Sequence, residues 1–415
     1  MTMPETVRSA TSHGPRPRGE WTDALEHFLR EAARDLRAPG AALDADPDAV
    51  HRFLHLPAVR LQQHMLTPAR YARDEDLLPR YVPAEASCAE WILAAEWLAY
   101  GDPGMTLASP GPALSTAVLR ALADDAQRDW FFTRTSDWPT WAFFALTEPA
   151  KGSAATELTA RLDAAPGGDG WVLTGEKMYI GNGAHARVGV VFCRRAPGPW
   201  GIEAVMVDTA DPGFHAETLP LVGLRGARIS RLRFDGVYIP PERVLGRHRP
   251  RSRRGLQGAL QAMLWFRPSV AAFALGVGRA ACDYVLEQRP ALAGAGRAEV
   301  DGLLDRSRRL RRLLHEVAAE IDAGSPNTFR VSGVKMRAAC LAEDATMLAA
   351  RLLGPASLIE HPWLDKVYRD VRAFEFMEGT GNIHRRGVFQ GLLRDDYFTP
   401  RDRDDRPGRA VEGVI

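Results

Sequence analysis

Along the first third of the chain, apolar residues recur at steps of three and four. Trp21, Leu25, Phe28 and Leu29 fall on one face of a helix. Residues 89–100 and 114–130 look like two more helices, with Gly101-Asp102-Pro103-Gly104 as a break between them. Pro139 marks the next boundary. From about 141 to 244 the signal becomes one of strands. Residues 157–163 alternate, Gly167-Gly168-Asp169-Gly170 forms a turn, and 171–177 returns as a hairpin partner. Strands over 188–193, 202–207 and 230–237 follow, and Pro240-Pro241 closes the run. Short, regular strands predict a small sandwich or barrel. Helices resume at 256. Segments 256–273 and 274–286 are apolar nearly all round, as in a buried bundle helix or an oligomer face. Residues 300–323 form an amphipathic helix with an arginine face (Arg306, Arg308, Arg309, Arg311, Arg312), and 331–353 and 362–376 complete the set. The expected class is α+β: an N-terminal helical domain (20–141), a middle β-sandwich or barrel (142–245) and a C-terminal four-helix bundle (246–400). Residues 1–19 read as a disordered leader without the apolar core of a signal peptide, and 401–415 as a disordered charged tail.

Composition narrows the classes. A chain of 415 residues suggests two or three packed units. A net charge of +1 gives no global reason to expect nucleic acid or membrane as a partner. No run of about 18 apolar residues is present, so no membrane span is expected. The four cysteines, Cys88, Cys193, Cys282 and Cys340, lack metal or disulfide spacing and read as buried small hydrophobes in a reducing, cytoplasmic setting. Only four of the 53 basic residues are lysines, which reads as GC-rich coding bias. The densest basic run, Arg247-His248-Arg249-Pro250-Arg251-Ser252-Arg253-Arg254, is either a solvated loop or an attractor of acidic partners or phosphates.

Candidate chemistry centres on Glu378. It follows Phe374, Phe376 and Met377 and precedes Gly379-Thr380-Gly381-Asn382-Ile383. A carboxylate among apolar side chains is disfavoured as an anion, so its pKa rises towards that of a useful general base. Glycines beside it admit close backbone approach to a ligand. The plainer reading is a helix-capping or ion-paired glutamate. A second block lies earlier: Leu146-Thr147-Glu148-Pro149-Ala150-Lys151-Gly152-Ser153, then Gly175-Glu176-Lys177-Met178-Tyr179-Ile180-Gly181-Asn182-Gly183.

Together with Tyr368-Arg369-Asp370, these blocks resemble the acyl-CoA dehydrogenase family of flavoenzymes over roughly residues 85–395. The resemblance implies FAD as cofactor and α,β-dehydrogenation of an acyl thioester, carried on CoA or on an acyl carrier protein as in natural-product relatives. It implies Glu378 as the base, its backbone N–H contributing to the oxyanion hole with Gly379 beside it. Phe266 occupies the position where some relatives carry the base, and phenylalanine cannot act as one. Leu146, Thr147, Tyr179, Ile180, Gly181, Thr380 and Asn382 correspond to flavin-contacting positions. Ser153 corresponds to a cofactor or substrate-arm contact and Arg267 to a residue near the acyl arm. Plainer readings stand beside them: local backbone hydrogen bonds for Thr147 and Ser153, a core aromatic for Tyr179, and a helix-start salt bridge for Arg267. The bulky Met263, Trp265 and Phe266 suggest a short or shaped acyl chain. Implied partners are an electron-transfer flavoprotein and further copies of the chain, as a homodimer or homotetramer.

Three departures bear on the cofactor. Gly181 replaces a usual hydroxyl residue. The family's Arg-x-x-Phe-Gly reads Gln288-Arg289-Pro290-Ala291-Leu292, with Arg289 shifted by one. A glycine-rich segment reads Gly354-Pro355-Ala356-Ser357. These keep two alternatives open: a flavin-dependent monooxygenase of the same fold, and an FAD-poor docking subunit.

Overall fold

The computed structural model describes residues 20–73, 78–150, 152 and 155–398. The expected leader, tail and Ser153 lie outside the described residues. Among the described residues, seven α-helices build the N-terminal part: α1 (Glu20–Arg34), α2 (Arg37–Ala45), α3 (Pro57–Leu66), α4 (Cys88–Gly101), α5 (Pro103–Ala108), α6 (Ser115–Leu122) and α7 (Asp125–Thr135). The expected single helix over 114–130 is two, because Asp124 caps a new helix start through a reciprocal bond with Gln127. Ser87 and Glu90 do the same for α4. That helix is buried on nearly all sides, which is why its apolar residues show little periodicity.

The middle part is one seven-stranded sheet: β1 (Ala142–Ala145), β2 (Arg161–Ala164), β3 (Trp171–Ile180), β4 (Val188–Arg194), β5 (Ile202–Asp208), β6 (Phe214–Thr218) and β7 (Ser230–Ile239). The order is β1-β4-β2-β3-β7-β6, with β5 also on β4. Phe143 on β1 stacks on Phe214 of β6, with ring centroids 5.9 Å apart, so the two ends of that path meet and the sheet curls. β4 and β5 are buried on both faces, and for that reason read as largely apolar runs, broken in β5 by the buried Glu203. Strands β1 and β6 extend the expected set, and β2 starts later than the alternating pattern suggested.

The remaining helices are α8 (Leu256–Gln288), α9 (Gly294–Asp322), α10 (Thr328–Leu353), α11 (Ser357–Glu360), α12 (Pro362–Asp370), α13 (Ala373–Phe376) and α14 (Gly381–Leu393). The long members α8, α9, α10 and α14 form the bundle. The two apolar segments expected over 256–286 are one 33-residue helix with Pro268 inside it. By length and composition α8 is apolar enough to cross a membrane, yet most of it is buried inside the protein. Small residues bring its neighbours close. A Cβ at Gly276 would fall 2.1 Å from the Glu96 carbonyl of α4, and one at Gly278 would fall 2.7 Å from Leu341 of α10. Trp91 donates from its indole to Ser269 Oγ at 2.9 Å across the same contact.

A buried ion triad joins the three parts. Lys366 Nζ on α12 lies 2.7 Å from both Asp102 and Asp370. Asp102 caps α5, and Asp370 accepts from the Leu224 backbone of the middle part at 2.6 Å. All four cysteines are free, and Cys340 alone is partly exposed.

Candidate active site

The segment between α13 and α14 is a tight turn. Glu378 (φ +53°) and Gly379 (φ +106°) both take positive φ, which for a glutamate costs energy unless the surroundings hold it. Three side chains do so. Arg267 donates from Nε to the Glu378 carbonyl at 3.1 Å. Lys335 Nζ donates to the carbonyls of Glu375 at 3.0 Å and Gly379 at 2.7 Å. The Glu375 carboxylate accepts from the Gly381 N–H at 2.7 Å. Thr380 then caps α14, accepting from Ile383 N at 3.5 Å. His384, one helical turn on, is fully buried; the Glu378 and Gly379 backbones face its ring, yet neither ring nitrogen completes a hydrogen bond.

Electrostatics at this turn are finely opposed. Burial raises the Glu378 carboxyl to about 7, against the pull of Arg267 and Lys335. Burial lowers the Lys335 ammonium to about 8, although Glu375 and Glu378 favour its charge. Burial, with Lys335 and Arg267 nearby, pushes His384 down to about 3, so it is neutral at physiological pH. The cluster therefore presents two cations, a neutral imidazole and a carboxyl that changes state near neutrality. Such a carboxyl exchanges a proton readily at working pH. The flanking apolar residues are not the whole cause: Phe374 is buried, but Phe376 is 69% exposed.

Arg267 is well inside α8 rather than at a helix start, and its backbone partner is the Glu378 carbonyl of the turn. The structure thus brings Glu378, Gly379, Thr380 and Arg267 together. Asn382 sits exposed on the first turn of α14 and accepts from Arg385 at 2.9 Å. Phe266 is buried, edge-on to Trp265 at 4.7 Å. Arg289 lies at the far end of α8, about 33 Å along the helix axis from Arg267, and donates to the Leu352 carbonyl at 2.6 Å.

The second group assembles on the middle part. Lys177 and Glu148 form a buried pair at 2.9 Å. Lys177 also donates to the Leu146 carbonyl at 3.0 Å, and Glu148 accepts from Thr159 and Ala160. Met178 N donates to the Thr147 carbonyl at 3.0 Å. The glutamate and lysine of the two sequence blocks thus lock the Leu146–Thr147 turn against β3. Past that lock, Tyr179 takes φ +63° and is 60% exposed, while Ile180 is buried. A Cβ at Gly181 would meet only Ile229 Cδ1, at 4.0 Å, so no steric demand explains the glycine.

Residues 143–237 match the acyl-CoA dehydrogenase middle domain, and 253–393 match its C-terminal domain. A mitochondrial short-chain specific acyl-CoA dehydrogenase of Bos taurus is 29% identical over 390 residues, covering 88% of this chain and 90% of that one. The acryloyl-CoA reductase (NADH) of Anaerotignum propionicum is 30% identical over 284 residues, covering 65% and 70%. Butyryl-CoA dehydrogenase from Megasphaera elsdenii shares the fold with a TM-score of 0.78 at 21% identity, over 92% of this chain and 100% of that one. The prolyl acyl carrier protein oxidase AnaB shares it with a TM-score of 0.75 at 19%, over 91% and 100%. The chain belongs to the acyl-CoA dehydrogenase family. It is a flavoprotein oxidoreductase of that family, whose cofactor is FAD. The middle part fits a flat aromatic group: an exposed Tyr179, open space at Gly181 and the locked Leu146–Thr147 turn lie together at the end of β3.

Sequence reasoning missed Lys335, His384 and the Glu148–Lys177 lock. The signal that finds the lysines is their scarcity: three of the four in the chain, Lys177, Lys335 and Lys366, are buried.

Proposed function

We propose that this protein oxidises an acyl thioester between its α and β carbons, with Glu378 removing the α proton. Bound FAD supplies the hydride acceptor that no side chain can provide. Leu146, Thr147, Tyr179, Ile180 and Gly181 would hold the flavin from the middle part, and Thr380 and Asn382 from the start of α14. The observation that carries the reading is the Glu378 carboxyl, raised to about 7 in a turn pinned by Arg267 and Lys335. A base at that value is largely ionised at slightly alkaline pH and still basic enough to take a proton from a carbon acidified by a polarised thioester. The Glu378 N–H would polarise the thioester carbonyl, and Arg267 keeps the turn oriented through the Glu378 carbonyl. Arg289 would reach a cofactor only from another copy of the chain. An electron-transfer flavoprotein would reoxidise the enzyme.

The thioester carrier is CoA or an acyl carrier protein. Likeness to AnaB and the exposed Arg247, Arg251 and Arg253 support the second. The test is anaerobic titration of the FAD-reconstituted protein with short acyl-CoA and acyl-carrier-protein thioesters, following bleaching of the flavin band, with Glu378→Gln in parallel. Bleaching lost in the variant supports the reading, and the effective thioester names the carrier. A loaded protein that bleaches with no thioester overturns it in favour of oxygen chemistry or a docking role.

A further inference from the structure

The turn carrying Glu378 needs an external brace. Its residues are few, two of them take positive φ, and the following helix begins at once. Lys335 reaches it from α10, more than 40 residues earlier in sequence. Its side chain is 1% exposed, and the ammonium is bound to the carbonyls that flank the base on either side, Glu375 and Gly379. In a chain with only four lysines among its 53 basic residues, a lysine kept here marks a site needing a compact ammonium. A guanidinium is larger and presents its donors in a rigid plane, whereas Lys335 aims three rotatable donors into one small space.

We propose that Lys335 is the positioning residue of the base: by tying the Glu375 and Gly379 carbonyls together it holds Glu378 in its left-handed conformation and keeps its carboxyl in place. This rests on the reading of Glu378 as base. Lys335 does not touch the reacting atoms; it acts through the turn. Its charge also acts on the Glu378 carboxyl and favours its ionised form. The other groups around it are Glu375 on α13, Arg267 on α8, Cys340 on α10 itself and His384 on α14. Of these, Arg267 is the one other cation acting on Glu378, so loss of Lys335 leaves the carboxyl with one of its two counter-charges.

The experiment compares wild type, Lys335→Met and Lys335→Gln as FAD-loaded proteins, using rapid-mixing bleaching with the thioester that serves wild type. Lys335→Met is expected to slow bleaching at saturating thioester by about tenfold or more while shifting half-saturation much less. Its acid limb moves up by about one pH unit, because a carboxylate with fewer cations nearby holds its proton more tightly. Lys335→Gln keeps donors without charge, so it recovers part of the rate and keeps the shifted limb. Hydrogen exchange on the same proteins reads the turn without catalysis. Amides of residues 376–381 should lose protection in Lys335→Met while those of α4 and α8 keep theirs. A folded, FAD-loaded Lys335→Met with wild-type rate, limb and protection overturns the proposal. If the Met variant does not fold, Lys335→Gln carries the test, and a Gln variant with an unmoved limb and full turn protection overturns it. If wild type bleaches with no thioester, the functional reading fails, and the exchange comparison still decides whether Lys335 holds the turn.

Discussion

Replacing Glu378 with glutamine should stabilise the protein while abolishing its chemistry, and by a pH-dependent amount. The carboxyl titrates at about 7 in the fold against 4.5 for an ordinary glutamate. That gap of about 2.5 units, at about 1.4 kcal/mol each, is on the order of 3 kcal/mol. Because the folded-state value is the higher one, the folded protein holds the proton more tightly between 4.5 and 7. Its contribution is therefore fully present below about 4.5 and is lost as pH rises through 7. Glutamine has the same shape and no such loss. The two proteins should melt together at pH 4.5, and Glu378→Gln should melt higher at pH 7.5. Unfolding entropy of about 2.1 cal/mol/K per residue over this chain gives roughly 0.9 kcal/mol/K, hence a gap of about 3 °C. Thermal melts of the FAD-loaded proteins at pH 4.5, 6 and 7.5 read this directly, and anaerobic mixing shows whether bleaching is gone. A gap independent of pH, or a wild type more stable at pH 7.5, would refute the account of Glu378 as a base held against its burial.

Other consequences are equally direct. Lys177→Met leaves Glu148 buried without its cation and should cost about 3–5 kcal/mol, read from a lowered denaturant midpoint. Equal midpoints would sink the idea of the pair as a lock. Lys366→Met strands Asp102 and Asp370 beside each other and should cost a similar amount at pH 7.5, with part of the loss recovered as pH falls and Asp102, whose carboxyl burial already raises, takes a proton; a pH-independent deficit would count against it. Gly181→Ser should fold with an unchanged melt, since its Cβ has room, and should shift the absorbance or potential of bound FAD; an unaltered flavin would place position 181 away from it.

How far the sequence revealed this depends on the range of the interaction. Helix α4 was visible because the break that follows it, Gly101-Asp102-Pro103-Gly104, is local. Helix α8 read as two segments because an Ala- and Gly-rich stretch gives no periodic signal when neighbours cover it on several sides. A barrel-like middle part was expected, but the contact that closes it was hidden, since Phe143 meets Phe214 some 70 residues later, and β6 is a short, mostly exposed strand. Glu378 stood out through its motif. Lys335 and His384 did not, because each looks like an ordinary helix position until tertiary packing sets it beneath the turn. The arginine-for-lysine bias read as GC-rich coding bias, and three of the four lysines that remain are buried in specific polar contacts.

That residual set has a practical consequence. Amine-directed reagents will find Lys177, Lys335 and Lys366 closed while the protein is folded. Each becomes reactive only when its own neighbourhood opens: Lys177 with the curled sheet, Lys335 with the turn under Glu378, Lys366 with the junction of the three parts. A brief pulse of acylating reagent along a denaturant or temperature series, followed by peptide mass mapping, would therefore time the opening of three separate places in one unmodified chain.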